Sequence, residues 1–393
     1  MPKLLLVSTI AATLRGFLIP YAKHFRNMGW QVDGAASGAA DDPDCIKEFD
    51  SVFDVAWSRK PLSRQNFFGA PAQIRAIAKN GAYDIVHVHT PLSAFLSRCA
   101  LRNSRQSGRP KIIYTAHGFL FHPGGSLLHN LFYSTLEKIA GSWTDYLVVI
   151  NQTDREAAEK HKLVPLERLR YMPGIGVDTN FYSPDSVAPH AVQRVRQELG
   201  LRDEDRLFLM VAEFHPNKRH CDVLQALALA QNEHIHIGFA GSGGIESEIV
   251  ELAATLGLNS RVHFLGFRND IPVLIRASTA ILLVSEREGL PRSILESLSL
   301  GVPVIGTDIR GIRELLQSGS GLLVPPGEPQ RIANALEQLA GQPELVSAMA
   351  HKARSLVMMY DTQKLLKLHE QLYEEALNRV DLGSVIVPDR QRI

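Results

Sequence analysis

Short apolar runs, mostly of four to six residues, alternate with longer segments of helical periodicity along nearly the whole chain. The runs fall at 3–8, 31–35, 84–89, 111–116, 145–150, 207–212, 234–240, 261–265, 280–285, 302–307 and 320–324, and are rich in Val, Ile and Leu. Continuous apolarity over so few residues marks strands buried on both faces, as in a parallel sheet. Between them, segments such as 17–28, 92–102 and 244–256 carry apolar positions at helical spacing. Strand and helix in regular alternation predict a doubly wound α/β architecture.

The alternation pauses once. Residues 173–195 run through Gly174, Gly176, Pro184 and Pro189 with little periodicity, which predicts a boundary between two Rossmann-like domains. The first spans about 1–175 and the second about 190–360; helices are predicted at 344–359 and 362–378, with the segment 361–393 packing back on the first domain. Two open parallel sheets side by side bind ligand in the cleft outside the carboxyl ends of their strands. The chemistry is therefore expected in the loops that follow strands.

Composition narrows the class. At 393 residues the chain suits two cores, and 45% apolar with 21% charged residues describes a soluble globular protein. Cys45, Cys99 and Cys221 are odd in number and lack any ligand spacing, which argues for a reducing compartment and against structural zinc or disulfides. The first ten residues read as a buried strand, not a signal peptide, and no apolar stretch approaches the roughly 20 residues of a membrane span. Net charge is +1, but residues 1–175 hold 21 Lys/Arg against 14 Asp/Glu, a surplus of 7. That basic half suits an anionic acceptor or membrane surface, or is a fluctuation of surface charge. Asp42-Pro43-Asp44 and Asp203-Glu204-Asp205 resemble metal-binding acid triplets, but neither directly follows a buried strand and both read as solvated loops.

The richest loop is Ser285-Glu286-Arg287-Glu288-Gly289-Leu290-Pro291-Arg292-Ser293-Ile294-Leu295-Glu296, after the apolar run at 280–284. Pro291 is placed as the first helical residue and Gly301 as the stop. Glu288 then precedes a helix N-terminus and Glu296 lies more than a turn inside it. Amides around Leu290, Arg292 and Ser293 make an anion site, and ionised carboxylates accept from sugar hydroxyls. On spacing alone, a solvated loop acid and a surface helix acid explain the two glutamates equally well.

These glutamates, with Glu-Gly-Leu-Pro and the following Ser-Leu-Gly-Val-Pro-Val-Ile, closely resemble glycosyltransferase family 4, especially its bacterial capsule and exopolysaccharide enzymes. The resemblance runs from the first strand to Gly327. It includes His89-Thr90-Pro91, Thr115-Ala116-His117-Gly118, Pro173-Gly174-Ile175-Gly176-Val177-Asp178, Gly241-Ser242-Gly243 and Phe264-Leu265-Gly266-Phe267-Arg268-Asn269-Asp270. It implies the two-domain GT-B fold and a retaining, metal-independent transferase using a nucleotide diphosphate sugar as co-substrate, with no other cofactor. In that reading Glu296 binds the ribose, Glu288 the transferred sugar and Lys218 the diphosphate, whose charge grows as the glycosidic bond breaks. His117 hydrogen-bonds the donor sugar. Gly16 and Gly241 lie in strand-to-helix turns facing phosphate, with Gly289 and Leu290 at the helix start. The Phe267-Arg268 loop receives the base, which favours uridine diphosphate. Glu213 departs from the family, which often has an arginine there; Arg15 or Arg219 could compensate. His87 and His89 share one strand face and suggest packing or acceptor contact, not metal.

The segments 118–133 and 64–68 are apolar and aromatic for loops in the basic half. They suit a membrane interface and a polyprenyl-diphosphate-linked acceptor, or cover the cleft. Together these features predict a hexosyl- or N-acetylhexosaminyl-type transferase for surface polysaccharide, cytoplasmic or peripheral on the inner face of the cell membrane, with no nucleic-acid partner. The rivals are a sugar-nucleotide epimerase and a catalytically silent nucleotide-sugar-binding protein.

Overall fold

The computed structural model describes residues 1–58, 63–103, 108–122 and 124–378. The stretch 379–393, part of the segment expected to return to the first domain, lies outside the described residues.

The first sheet holds β1 (Lys3–Ile10), β2 (Gln31–Ser37), β3 (Ser51–Asp54), β4 (Ile85–His89), β5 (Lys111–Ala116), β6 (Tyr146–Val149) and β7 (Leu169–Tyr171) in the order β3-β2-β1-β4-β5-β6-β7. The second holds β8 (Arg206–Val211), β9 (Ile235–Ala240), β10 (Val262–Gly266), β11 (Ala280–Leu283), β12 (Val304–Thr307) and β13 (Gly321–Val324), ordered β10-β9-β8-β11-β12-β13. Every strand pair is parallel. Central strands such as β4, β9 and β11 are buried throughout, which is why they read as largely apolar runs, interrupted only by His87, His89 and His236.

The pattern misses β3 and β7, the two edge strands of the first sheet. They are short and partly exposed, so they carry no apolar run. The supposedly irregular 173–195 stretch also contains the start of a helix, Pro189–Glu198, whose polar, mostly exposed residues hide its period.

Beyond the second sheet, helix Pro343–Val357 packs Ala353 and Val357 into the core that holds Leu295 and Leu298. The chain then crosses over. Val177 donates to the carbonyl of Tyr360 and accepts from the amide of Thr362, both at 3.0 Å. Helix Thr362–Asn378 buries Leu365, Leu366, Leu372, Tyr373 and Ala376 against Leu4, Leu6, Phe25 and Ile85 of the first unit. No helix among the described residues is long and apolar enough to cross a membrane.

Candidate active site

In both sheets the strand order reverses at the first strand, between β1 and β4 and between β8 and β11. Loops therefore diverge at these points and leave a crevice at the carboxyl ends. The loop after β11 leads to helix Arg292–Ser299, for which Pro291 is the N-cap, with ψ 124°, and not the first helical residue as the sequence suggested. Ile294, Leu295 and Leu298 bury the inner face of this helix. Glu296 is only 7% exposed, an unfavourable place for a carboxylate unless it is partnered. Burial raises its pKa, while the Arg292 guanidinium, 2.8 Å away, and the Tyr182 hydroxyl pull the other way.

Lys218 ends the turn Pro216–Lys218 after β8 and places Nζ 2.6 Å from Glu288 Oε1. Two bonds tie the loops carrying this pair together: Asn217 Nδ2 donates to Arg287 O at 3.1 Å, and the Glu286 amide to Asn217 O at 2.9 Å. The lysine and both glutamates thus line one rim of the second unit.

His117 enters from the first unit, just past β5. Burial first, and His369 second, lower its pKa to about 4, so the ring is neutral at physiological pH. Gly118 (φ +131°) and Gly289 meet here: a Cβ on Gly289 would overlap the His117 carbonyl oxygen. Only glycine allows that approach. Arg310 spans the same junction. It bonds Asp154 Oδ1 at 2.8 Å and Phe119 O at 3.1 Å in the first unit, and Glu288 O at 3.4 Å in the second. Glu314 accepts from Tyr171 at 2.9 Å and from the Gln152 amide at 2.8 Å. Arg292 Nη1 donates to the carbonyl of Gly16.

Gly16 corrects one expectation. It lies within a π-helical turn, Leu14–Leu18, in a helix that starts directly after β1, so there is no tight turn at this glycine. Such π turns recur at functional sites because they re-aim backbone groups; here the re-aimed carbonyl faces Arg292. Gly241 follows β9, as expected, where a Cβ would strike the Ala212 carbonyl oxygen. The Arg268 guanidinium is held by Asp270 at 2.8 Å and Glu198 at 2.6 Å, which leaves the backbone of this loop and the 77%-exposed Phe267 ring for a ligand.

The two cations suggested to offset Glu213 are engaged elsewhere. Arg15 pairs with Asp42 at 2.9 Å, and Arg219 with Asp222 at 2.7 Å and Glu286 at 3.5 Å. Glu213 itself is exposed. The acid triplets are not simply solvated loops. Asp42 caps helix Pro43–Glu48, and Asp205 is a buried anchor for Arg202, His234 and His236. The side chains of Arg292, Arg310 and Asp154 were not among the expected site groups. The four-residue spacing of Arg292 and Glu296 was a usable signal; the Arg310–Asp154 pair, 156 residues apart, offered none.

Two Rossmann-like units meeting across this crevice define the GT-B fold. Residues 19–181 match the family described as Glycosyltransferase Family 4, and residues 192–356 the one described as Glycosyl transferases group 1. The chain belongs to glycosyltransferase family 4. It is 34% identical over 374 residues to EpsD, a protein of Bacillus subtilis (strain 168) named as a glycosyltransferase, covering 94% of this chain and 96% of that one. It is 28% identical over 288 residues to the UDP-Gal:alpha-D-GlcNAc-diphosphoundecaprenol alpha-1,3-galactosyltransferase of Escherichia coli, covering 72% of each. The crystal structure of Anabaena Alr3699/HepE in complex with UDP and glucose superposes with a TM-score of 0.78 at 21% identity, over 95% of this chain and 100% of that one.

Proposed function

We propose that this glycosyltransferase moves a hexose or N-acetylhexosamine from a UDP-sugar to a polyprenyl-diphosphate-linked glycan during bacterial surface-polysaccharide assembly. The observation that carries the reading is the rim formed by Lys218, Glu288 and Glu296 beside one helix N-terminus, with His117 opposite. Glu296 accepts from ribose hydroxyls, Glu288 from sugar hydroxyls, and Lys218 with the amides at Leu290 and Arg292 takes the diphosphate. Gly16, Gly241, Gly289 and the Arg268 loop complete the donor-facing surface.

In this reading the anomeric C–O bond to the diphosphate breaks as the acceptor hydroxyl attacks from the same face, and the departing phosphate oxygen takes the acceptor proton. The protein's share is positioning and charge stabilisation. The galactosyltransferase relative is named for a diphosphoundecaprenol acceptor and a UDP-Gal donor, which supports the acceptor and nucleotide classes. Helix Leu127–Gly141 supports membrane contact: Leu127, Leu128, Leu131 and Phe132 are 57–88% exposed on it, and Phe68 is 75% exposed. Such a face, on the basic half, suits peripheral docking at the inner surface of a cell membrane.

The test is incubation of purified protein with a panel of UDP-sugars and an undecaprenyl-diphosphate-linked acceptor, with anomeric configuration read by NMR. An inverted linkage would overturn the mechanism. Transfer should persist in excess EDTA, and Glu296→Ala should weaken UDP binding about tenfold, or ~1.4 kcal/mol.

A further inference from the structure

Behind His117 lies a column of buried rings that the donor site does not use. β4 and β5 pair so that His87 faces Ile113 and His89 faces Thr115, which brings His89 beside His117 at the end of β5. His89 Nδ1 is 3.0 Å from His117 Nε2. The His87 ring centroid is 4.3 Å from that of His89, and its nitrogens bond Tyr373 Oη at 2.6 Å and Thr115 Oγ1 at 2.7 Å. His369, one turn before Tyr373 on the crossing helix, packs 5.9 Å from His87 and bonds its Nδ1 to Leu365 O at 2.8 Å.

A neutral imidazole carries one proton, so one nitrogen donates and the other accepts. The 3.0 Å contact between His89 and His117 therefore has two arrangements. If His117 Nε2 donates to His89 Nδ1, the proton of His89 must sit on its Nε2. That nitrogen is buried and has no hydrogen-bond partner among the described residues, in a residue 3% exposed. A sealed, unpaired N–H is among the rarest features of folded proteins, and an unpaired acceptor is the better tolerated of the two. In the opposite arrangement His89 Nδ1–H donates to His117 Nε2, and the orphan on His89 is only a lone pair. The proton of His117 is then on Nδ1, which bonds no group of the described chain and is not sealed from the cleft.

We propose that His89 is a positioning residue that fixes His117 as its Nδ1–H tautomer, so that His117 meets the donor sugar as a neutral hydrogen-bond donor and not as a base. This rests on the assignment of His117 to the donor-sugar site. Thr115 and Tyr373 hold His87, on which the His89 ring leans, so the crossing helix contributes to the orientation of a cleft residue from another element.

The experiment is two-bond proton–nitrogen NMR of the full chain with 15N-labelled histidine, the His117 signals being identified by their loss in His117→Gln. The wild type should show His117 protonated on Nδ1 and bare on Nε2. His89→Asn, whose amide can donate near the position of Nδ1, should keep that signature. His89→Leu should give mixed tautomers and lower kcat about tenfold or more, as loss of a tautomer-setting partner does, with UDP affinity unchanged, and Asn should restore most of kcat. Protonation of His117 on Nε2 in the wild type, or a His89→Leu protein with unchanged spectrum and kcat, overturns the proposal. Should His89→Leu fail to fold, the wild-type spectrum alone decides. Full transfer by His117→Ala would instead remove the donor-site assignment and leave the tautomer result standing, so the two failures are distinct.

Discussion

Lys218 Nζ and Glu288 Oε1 stand 2.6 Å apart, so the cation assigned to the diphosphate and the carboxylate assigned to the sugar neutralise each other across the rim. Donor binding must divide them: phosphate takes the lysine, and sugar hydroxyls take the glutamate. The Glu288→Gln protein should therefore bind UDP as tightly as the wild type or up to about fivefold tighter, since the competing anion is gone, while transfer falls about 100-fold. Lys218→Met should weaken UDP binding about tenfold or more. Calorimetry with UDP and initial-rate measurements separate the two; equal loss of UDP affinity in both variants would count against the division of roles.

Arg310 joins the two units through one nearly solvent-free carboxylate. Asp154 is 1% exposed, and burial raises its pKa even though Arg310 and Asn151 oppose the shift. Removing the guanidinium alone strands that charge, at a cost of about 3–5 kcal/mol. Arg310→Leu should thus be strongly destabilised in thermal melts, and adding Asp154→Asn should recover most of the loss. The recovered double variant should still show a raised donor KM, because the bonds from Arg310 to Phe119 and Glu288 carbonyls are gone. Failure of Asp154→Asn to rescue Arg310→Leu would show that the carboxylate is not what makes the single substitution costly.

The sequence made the central strands legible because β4, β9 and β11 are buried on both faces and are apolar apart from His87, His89 and His236. The glutamate loop was legible because strand, loop and helix start are contiguous, although spacing alone left Glu288 and Glu296 open to a bland reading and the family resemblance singled them out. Contacts between chain segments distant in sequence left no such trace, whether across the two units or within one. Arg310 reads as a loop arginine until Asp154 is beside it, and Asp205 reads as a solvated acid until Arg202, His234 and His236 converge on it. Edge strands β3 and β7 failed differently, since a half-exposed strand of three or four residues has too few buried positions to impose a period.

His220 is 1% exposed, stacks 4.4 Å from the Phe214 ring, and has no hydrogen-bond partner on either nitrogen among the described residues. Burial, with Lys218 adding to it, lowers its pKa to about 4, so the ring is neutral and one of its nitrogens carries an unpaired proton. An apolar side chain of similar volume removes that desolvation cost, typically about 1–3 kcal/mol. His220→Leu should therefore raise the melting midpoint where most core substitutions lower it. A fall would mean that the imidazole pairs with something on donor binding or packs better than leucine against Phe214.

Acid should loosen the first unit through its buried histidines. Burial lowers the pKa of His369 to about 4 and drives His87 and His89 well below the usual value, while His369 lies 3% exposed between them and Tyr21. An unfolded histidine titrates near 6.5. Between about 6.5 and 4 the unfolded chain binds more protons than the folded one, so stability rises with pH there and is lost as pH falls. For His369 the loss at pH 5 is on the order of 2 kcal/mol relative to pH 7. Glu296, Asp154, Glu314 and, in β2, Asp33 contribute with the opposite sign, because their folded pKa values are raised and protonation favours the folded state, but none of them lies in the histidine column. Protection factors in β4 and helix Thr362–Asn378, which take out the slower intrinsic exchange at low pH, should therefore fall between pH 7 and pH 5. His369→Leu should flatten that dependence; a dependence unchanged in the variant would place the acid sensitivity outside the histidine column.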